Sequence, residues 1–530
     1  MKILIADRID EIGIQRIQAE DGFTADVTTG LSAEELKQCI GDYDGLIIRS
    51  ATKVTDEILA TGAGRLKVVA RAGIGLDNVD IAAATRHGIV VMNTPEGNTV
   101  TTAEHTISML MALSRNIPRG TMSLKAGRWE KKLLQGREVR HKTLGLIGFG
   151  KIGSIVADRA RRFHMKVIVA DPNIARKTVE NEGHEYVTMD ELLARSDFIT
   201  VHVPKLKQTM GLLDKAAFAK MKDGVMVLNC ARGGIINEAD LYEALVSGKV
   251  AGAALDVFET EPPGESPLLQ LDNVIATPHL GASTKEAQMN VSETAAAQVI
   301  KYLKNNTIIN AVNVPAVSGE VLSRLAPFTT LAERMGSLLA QLAEGNPTEV
   351  IIEYQGDFQG LPLEPVTVAA VKGFLSPFVK HTVNSVNALS MASSRGIKIT
   401  TRSDETLTEY TILITITVVT SAGSYSVAGT IFGRREPRVI RINDFRLEMI
   451  PTQGYFAIIH NLDRPGAIGS IGVTLGKHDI NIERMQVGQK GDNARNIIFL
   501  RTGSEIPEAA LADLQTLPVV KDITVFGLDE

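Results

Sequence analysis

The chain has 530 residues, 56 of them basic and 61 acidic, for a formal net charge of −5; 44% are hydrophobic and 22% charged. At about 150 residues per domain this length predicts three or four domains, and the composition excludes a disordered or collagen-like chain. A weakly acidic chain has no global field for nucleic acid or an anionic membrane. Neither partner is expected, and any anionic ligand has to be held by local cations.

The two cysteines, Cys39 and Cys230, have neither metal-ligand spacing nor a disulfide framework. That predicts reduced thiols, no metal and a cytoplasmic location. MKILIADRID reaches charge at Asp7 and gives no signal-peptide core. The longest charge-free run, Thr411–Gly433, has Ile412, Ile414, Ile416 and Val418 in period two, followed by SAGS. It reads as two strands and a turn, not a membrane span.

Four apolar bursts open the chain at Lys2–Ala6, Gly45–Arg49, Leu66–Ala70 and Ile89–Met92, with helix-length polar stretches between them. This is the rhythm of a parallel α/β sheet. A helix is expected over Thr102–Ser114. A second series then runs through Leu144–Ile147, Val167–Ala170, Phe198–Val201, Val225–Leu228, Gly252–Leu255 and Val274–Ala276, enough for a doubly wound unit. Glu286–Leu303 has a helical pattern, and Asn313-Val-Pro315 marks a boundary. From Ala316 to about Ile450 the alternation stops. A helix at Thr330–Ala343 precedes a Thr/Val/Ile-rich region that reads as a small α+β domain. The terminal segment predicts strands at Tyr455–Leu462, Ile482–Gln489, Asn496–Thr502 and Val519–Gly527, with helices at Ala467–Lys477 and Glu508–Leu517. That order is ferredoxin-like.

KTLGLIGFGKIG, residues 142–153, runs a strand into Gly148-x-Gly150-x-x-Gly153, with a helix expected over Ser154–Phe163. Gly148 permits the tight turn, Gly150 lets a pyrophosphate approach the backbone, and Gly153 allows close helix–strand packing. The next strand ends in Asp171, placed to bond the adenosine ribose; its charge favours NAD over NADP, with Arg176 near enough to keep the alternative open. Three ionisable residues follow later strands: Arg232 in NCARGG, Glu261 in DVFETEPP and His279 in TPHLGAST. An arginine grips a carboxylate and polarises a carbonyl, a histidine exchanges the hydroxyl proton, and a glutamate steadies the imidazolium. Each alone has an ordinary structural explanation, but together, at the strand ends where such sheets bind ligands, they predict a dehydrogenase.

These motifs, with GFGKIG and RAGIGLDNVD, resemble the D-isomer-specific 2-hydroxyacid dehydrogenases, and within them the branch that oxidises 3-phospho-D-glycerate to 3-phosphohydroxypyruvate at the start of phosphorylated serine biosynthesis. The resemblance implies a flavodoxin-like substrate domain (1–95 and 284–314) around an inserted Rossmann-type NAD domain (96–283). It further implies an intervening regulatory domain (315–451) and an ACT domain (452–530), the small amino-acid-sensing module. It implies Arg232, Glu261 and His279 as the catalytic set. Around NAD it places Thr102, Gly148, Gly150, Lys151, Ile152, Gly153, Asp171, Pro204, Cys230, Ala231, Arg232, Asp256, His279 and Gly281. Around the substrate it places Arg49, Ser50, Arg71, Gly73 and Asn98, with Lys131 and Lys132 presented across a dimer contact.

Arg49 and Arg71 end putative strands facing one cleft, and their forks suit phosphate. In NLDRPGAIGSI, the resemblance implies L-serine feedback through Asn461 and Asp463 of one chain and Asn481 of another, within a homotetramer. A pairing domain without a ligand is the alternative. Arg434, Arg435, Arg438 and Arg441 could bind an anion or edge a strand in solvent. Two other functions stay open: a nucleotide-sensing corepressor, and a dehydrogenase of another acid, including reduction of 2-oxoglutarate to 2-hydroxyglutarate.

Overall fold

A computed structural model describes residues 1–315, 319–358, 360–379, 382–404, 406, 409–433, 435–489 and 495–528. Three sheets organise it. The first consists of β1 (Lys2–Ile5), β2 (Thr24–Val27), β3 (Gly45–Ile48), β4 (Val68–Arg71) and β5 (Val90–Met92), all parallel in the order β2-β1-β3-β4-β5. This is the flavodoxin-like order expected. Its inner strands are apolar and covered by helices on both faces, so they read as continuous Ile/Leu/Val runs. β2 is a half-exposed edge strand of sequence TADV and has no such run.

The second sheet holds β6 (Thr143–Ile147), β7 (Lys166–Ala170), β8 (Glu185–Tyr186), β9 (Phe198–Val201), β10 (Val225–Asn229), β11 (Val250–Leu255) and β12 (Val274–Ala276). Its order, β12-β11-β10-β9-β6-β7-β8, is the six-stranded Rossmann arrangement, with the two-residue β8 as its third strand and β12 added beyond β11 at the opposite edge. The chain passes from the first sheet to the second just before the Thr99–Ser114 helix. It returns through the Lys285–Asn305 helix, which packs on the Glu11–Gln18 helix. Gly13 permits that contact, since a Cβ there would lie 2.8 Å from the Ser292 carbonyl oxygen.

The third sheet comprises β13 (Pro347–Gly356), β14 (Lys398–Asp404), β15 (Ile412–Thr420), β16 (Ser424–Phe432), β17 (Glu436–Ile442), β18 (Phe445–Met449), β19 (Gly454–Leu462), β20 (Ile482–Gln489), β21 (Arg495–Thr502) and β22 (Val520–Leu528). The charge-free run forms the β15–β16 hairpin, and among the described residues no helix is long and apolar enough to cross a membrane. The last four strands have the ferredoxin-like order β20-β21-β19-β22.

This ferredoxin-like unit is not separate in the way the sequence suggests. β18 pairs with β20, Arg446 opposite Gln489, so the sheet runs through the expected 451/452 boundary. Phe456, Phe499, Phe526 and Leu528 share one core with Leu331, Met335 and Leu338 of the Gly319–Leu342 helix. That helix starts well before Thr330 and carries Pro327 inside it. The Gln341 side-chain amide also donates to the Gly527 carbonyl and accepts from its N–H. At the other end of this unit, Asn384 Nδ2 donates to the Gly88 carbonyl at 2.8 Å, and Val386 joins the core of the first sheet.

Candidate active site

At the end of β6, Gly148 has φ +94°, and a Cβ there would lie 2.6 Å from the His202 carbonyl oxygen. Glycine therefore meets both a conformational and a spatial demand. A Cβ on Gly153 would overlap the Gly148 carbonyl, so the Lys151–Arg162 helix rests directly on the turn. A Cβ on Gly150 would meet nothing within 4 Å. That open approach lies over a helix N-terminus lacking a side-chain cap, the place where a dinucleotide pyrophosphate fits. Asp171 receives the Phe149 N–H on Oδ2 and the Asn173 N–H on Oδ1, both at 2.8 Å, which fixes its carboxylate beside the turn.

The remaining cofactor candidates divide. Lys151 pairs with Glu96 at 2.9 Å, Ile152 packs partly on the core, and Pro204 is exposed. Thr102 is buried, with its hydroxyl on the Asn98 carbonyl. Cys230 sits in the core, burial pushing its thiol up to about 12, and Ala231 beside it is half-buried.

Asp256 is fully buried and acts as a pivot. Its oxygens accept from Leu280 N at 2.7 Å, Gly281 N at 2.8 Å, the Thr277 hydroxyl at 2.6 Å and His105 Nε2 at 3.1 Å. Burial works to raise its pKa, but these bonds hold it below the ordinary carboxylate value. The Asp256 carbonyl also receives the His279 N–H. Together these bonds hold His279 at φ +52°, a conformation uncommon outside glycine. His279 Nδ1 meets Glu261 Oε2 at 2.8 Å, and Nε2 has no partner among the described residues. The histidine–glutamate pair read from the sequence is therefore formed.

Arg232 reaches across to the first sheet's domain. Its Nε donates to Asp77 Oδ2 at 2.9 Å and its Nη1 to the Ala231 carbonyl at 2.7 Å. The guanidinium lies over Gly75, where a Cβ would overlap Nη2 and come within 2.8 Å of Cζ and 2.9 Å of Arg71 Nη1. Arg71 Nη1 bonds the Gly75 carbonyl and its Nε the Arg49 carbonyl. Burial first, and the nearby Arg232 charge second, lower the Arg71 guanidinium to about 10; burial lowers Arg49 as well. Arg49, Arg71 and Arg232 thus form one cationic cluster. Ser50 is exposed beside it, and the Gly73 carbonyl receives the Thr94 N–H. Asn98 is buried with its Oδ1 unpartnered. Gly75, Asp77 and the supporting role of Asp256 escaped the sequence reading, although RAGIGLDNVD contains two of them.

Lys131 and Lys132 stand exposed on an arm with Trp129, Leu133, Met122 and Leu124, all apolar residues open to solvent. Asn461 is buried with Oδ1 unpartnered, while Asp463 and Asn481 are exposed. Tyr455 and Ile482 both lie opposite Thr502, so β19 and β20 run the same way. Asp463, past the end of β19, and Asn481, before the start of β20, therefore occupy opposite ends of the sheet within one chain. Arg438 is committed to Glu436 at 2.7 Å and Glu448 at 3.2 Å, which removes the anion-binding alternative for that side chain; Arg434 lies outside the described residues.

Residues 107–281 match the family model of the D-isomer specific 2-hydroxyacid dehydrogenase NAD binding domain, 324–443 that of the D-3-phosphoglycerate dehydrogenase intervening domain, and 455–519 that of the ACT domain. The chain is 43% identical to D-3-phosphoglycerate dehydrogenase of Archaeoglobus fulgidus over all of both chains. It is 40% identical to that of Synechocystis over 98% of this chain and 94% of the other. D-lactate dehydrogenase of Aquifex aeolicus, solved with NAD and lactic acid, superposes with a TM-score of 0.52 at 30% identity, covering 57% of this chain and 96% of that one. The chain belongs to the D-3-phosphoglycerate dehydrogenases, within the D-isomer-specific 2-hydroxyacid dehydrogenase family.

Proposed function

We propose that Arg232, His279 and Glu261 oxidise the C2 hydroxyl of 3-phospho-D-glycerate in the cleft between the first two sheets, with Arg49 and Arg71 holding the phosphate. The observations that carry this reading are the three-arginine cluster and the His279–Glu261 pair, whose Glu261 also takes the Phe258 N–H of the segment on which Gly233, next to Arg232, rests. Bound NAD supplies the hydride acceptor, and Gly148, Gly150, Gly153 and Asp171 are the residues that would hold it. Arg232 grips the substrate carboxylate and stabilises charge developing on the C2 oxygen. His279 Nε2 takes the hydroxyl proton, and Glu261 on Nδ1 stabilises the resulting imidazolium. NADH formation with 3-phosphoglycerate, set against a panel of other D-2-hydroxy acids, tests this reading and separates it from a nucleotide sensor.

The ACT domain is the candidate serine sensor. Because Asp463 and Asn481 of one chain sit at opposite ends of the sheet, a shared effector site needs a second subunit. Among the described residues β18 pairs with β20 at its Gln489 end, which supports pairing through the end near Asn481. The apolar arm around Trp129 supports a second subunit contact, and the two together are consistent with a homotetramer. The free cysteines support a cytoplasmic location.

A further inference from the structure

The loop after β3, Arg49-Ser50-Ala51-Thr52, is gripped at both ends by residues with no other assigned task. Asp7, buried at the end of β1, accepts the Arg49 N–H on Oδ2 at 2.6 Å and the Thr52 N–H on the same oxygen at 3.2 Å. Its Oδ1 takes the Thr52 hydroxyl at 2.8 Å. Asn78 works from the opposite side. Its Nδ2 donates to the Arg49 carbonyl at 2.7 Å and to the Thr52 carbonyl at 2.6 Å. One side chain therefore satisfies the loop's terminal N–H groups and the other its terminal carbonyls. Between them Ser50 and Ala51 are exposed, and no acceptor among the described residues meets their N–H groups.

We propose that Asp7 and Asn78 are positioning residues that hold this loop so that the Arg49 side chain and the Ser50 and Ala51 N–H groups converge on the substrate's phosphate. The inference rests on the phosphorylated substrate proposed above. Asn78 directly follows Asp77, which bonds Arg232. A single turn thereby anchors the loop at the phosphate end and the arginine at the carboxylate end. A pre-set loop loses little entropy when the anion arrives, which is how a positioning residue contributes to affinity without touching the ligand.

The test measures KM and kcat for 3-phosphoglycerate and for D-glycerate, plus competitive inhibition by inorganic phosphate, in Asp7→Asn, Asn78→Asp and Thr52→Val. Each of the first two removes or reverses a charge-assisted or paired contact of the loop. KM for 3-phosphoglycerate should rise about tenfold or more, on the scale of one lost charge-assisted bond. Phosphate inhibition should weaken by a similar factor, while kcat/KM for D-glycerate stays within about twofold. Thr52→Val, nearly isosteric, removes only the hydroxyl bond and should give the same selectivity at smaller size. It decides the matter if a buried Asp7 variant fails to fold. Equal losses on both substrates, or unchanged KM in Asn78→Asp and Thr52→Val, overturn the proposal. An unaltered enzyme that does not prefer the phosphorylated acid overturns the functional reading itself, and the clamp's phosphate role falls with it.

Discussion

Gly75 is the position where a single methyl group discriminates between a folding role and a catalytic one. Its backbone does not require glycine, since its φ is not among the positive values, so the demand is for space. An alanine Cβ would overlap Arg232 Nη2 and press on Arg71 Nη1 at 2.9 Å. Both obstacles are the far ends of flexible side chains, so Gly75→Ala should be relieved by Arg232 swinging away rather than by backbone movement. The Asp77–Arg232 pair is partly exposed, and losing it costs about 1 kcal/mol or less, which leaves the melting temperature nearly unchanged. Catalysis should suffer far more, because removing one preorganised donor to a developing oxyanion costs about 10²–10³ in rate. The assay is NADH formation with saturating NAD, alongside NADH binding by fluorescence, which should be preserved. Combining Gly75→Ala with Arg232→Ala should be scarcely worse than Arg232→Ala alone, because both remove the same interaction. A Gly75→Ala enzyme within about threefold of the original kcat/KM would refute the placement of Arg232 at the reacting carbon.

His279→Asn should slow turnover by about 10²–10⁴ with NADH affinity nearly intact; retained turnover in His279→Asn would remove the proton-transfer assignment. Asp171→Ala should erode the preference for NAD over NADP, measured as the ratio of kcat/KM, and an unaltered enzyme using both equally would refute the ribose assignment. Asp463→Ala should abolish serine inhibition while sparing uninhibited turnover. Substitution is the right tool, because deleting the terminal domain would bare the Leu331–Leu338 helix face that packs on Phe456, Phe499 and Phe526. Calorimetric serine binding that survives Asp463→Ala would rule this site out.

What the sequence made legible was set by local signals. Inner parallel strands are apolar on both faces, so β1, β3, β4 and most of the second sheet show as bursts. β2 and the two-residue β8 are edge strands and escaped for the same reason. Glycines 148, 150 and 153 were readable because turn, open approach and close packing each follow from a missing Cβ. Pro327 hid the first turns of the Gly319–Leu342 helix. Long-range pairings left no mark in the sequence: β18 with β20, Asp77 with Arg232, Asp256 with the His279 loop. The use of Gly75, to leave room for a side chain from another domain, likewise left no local mark.

The central claim is that a cluster of three arginines, working with a histidine–glutamate pair, selects a phosphorylated 2-hydroxy acid. Its most direct test is the ratio of kcat/KM for 3-phosphoglycerate to that for D-glycerate, measured with NAD in the unaltered enzyme and in Arg49→Ala. Each charge-assisted bond to the phosphate is worth roughly 1.5–3 kcal/mol, so the ratio should exceed about a hundred and fall at least tenfold in Arg49→Ala. A ratio near one in the unaltered enzyme, or one that Arg49→Ala leaves unchanged, would contradict the account.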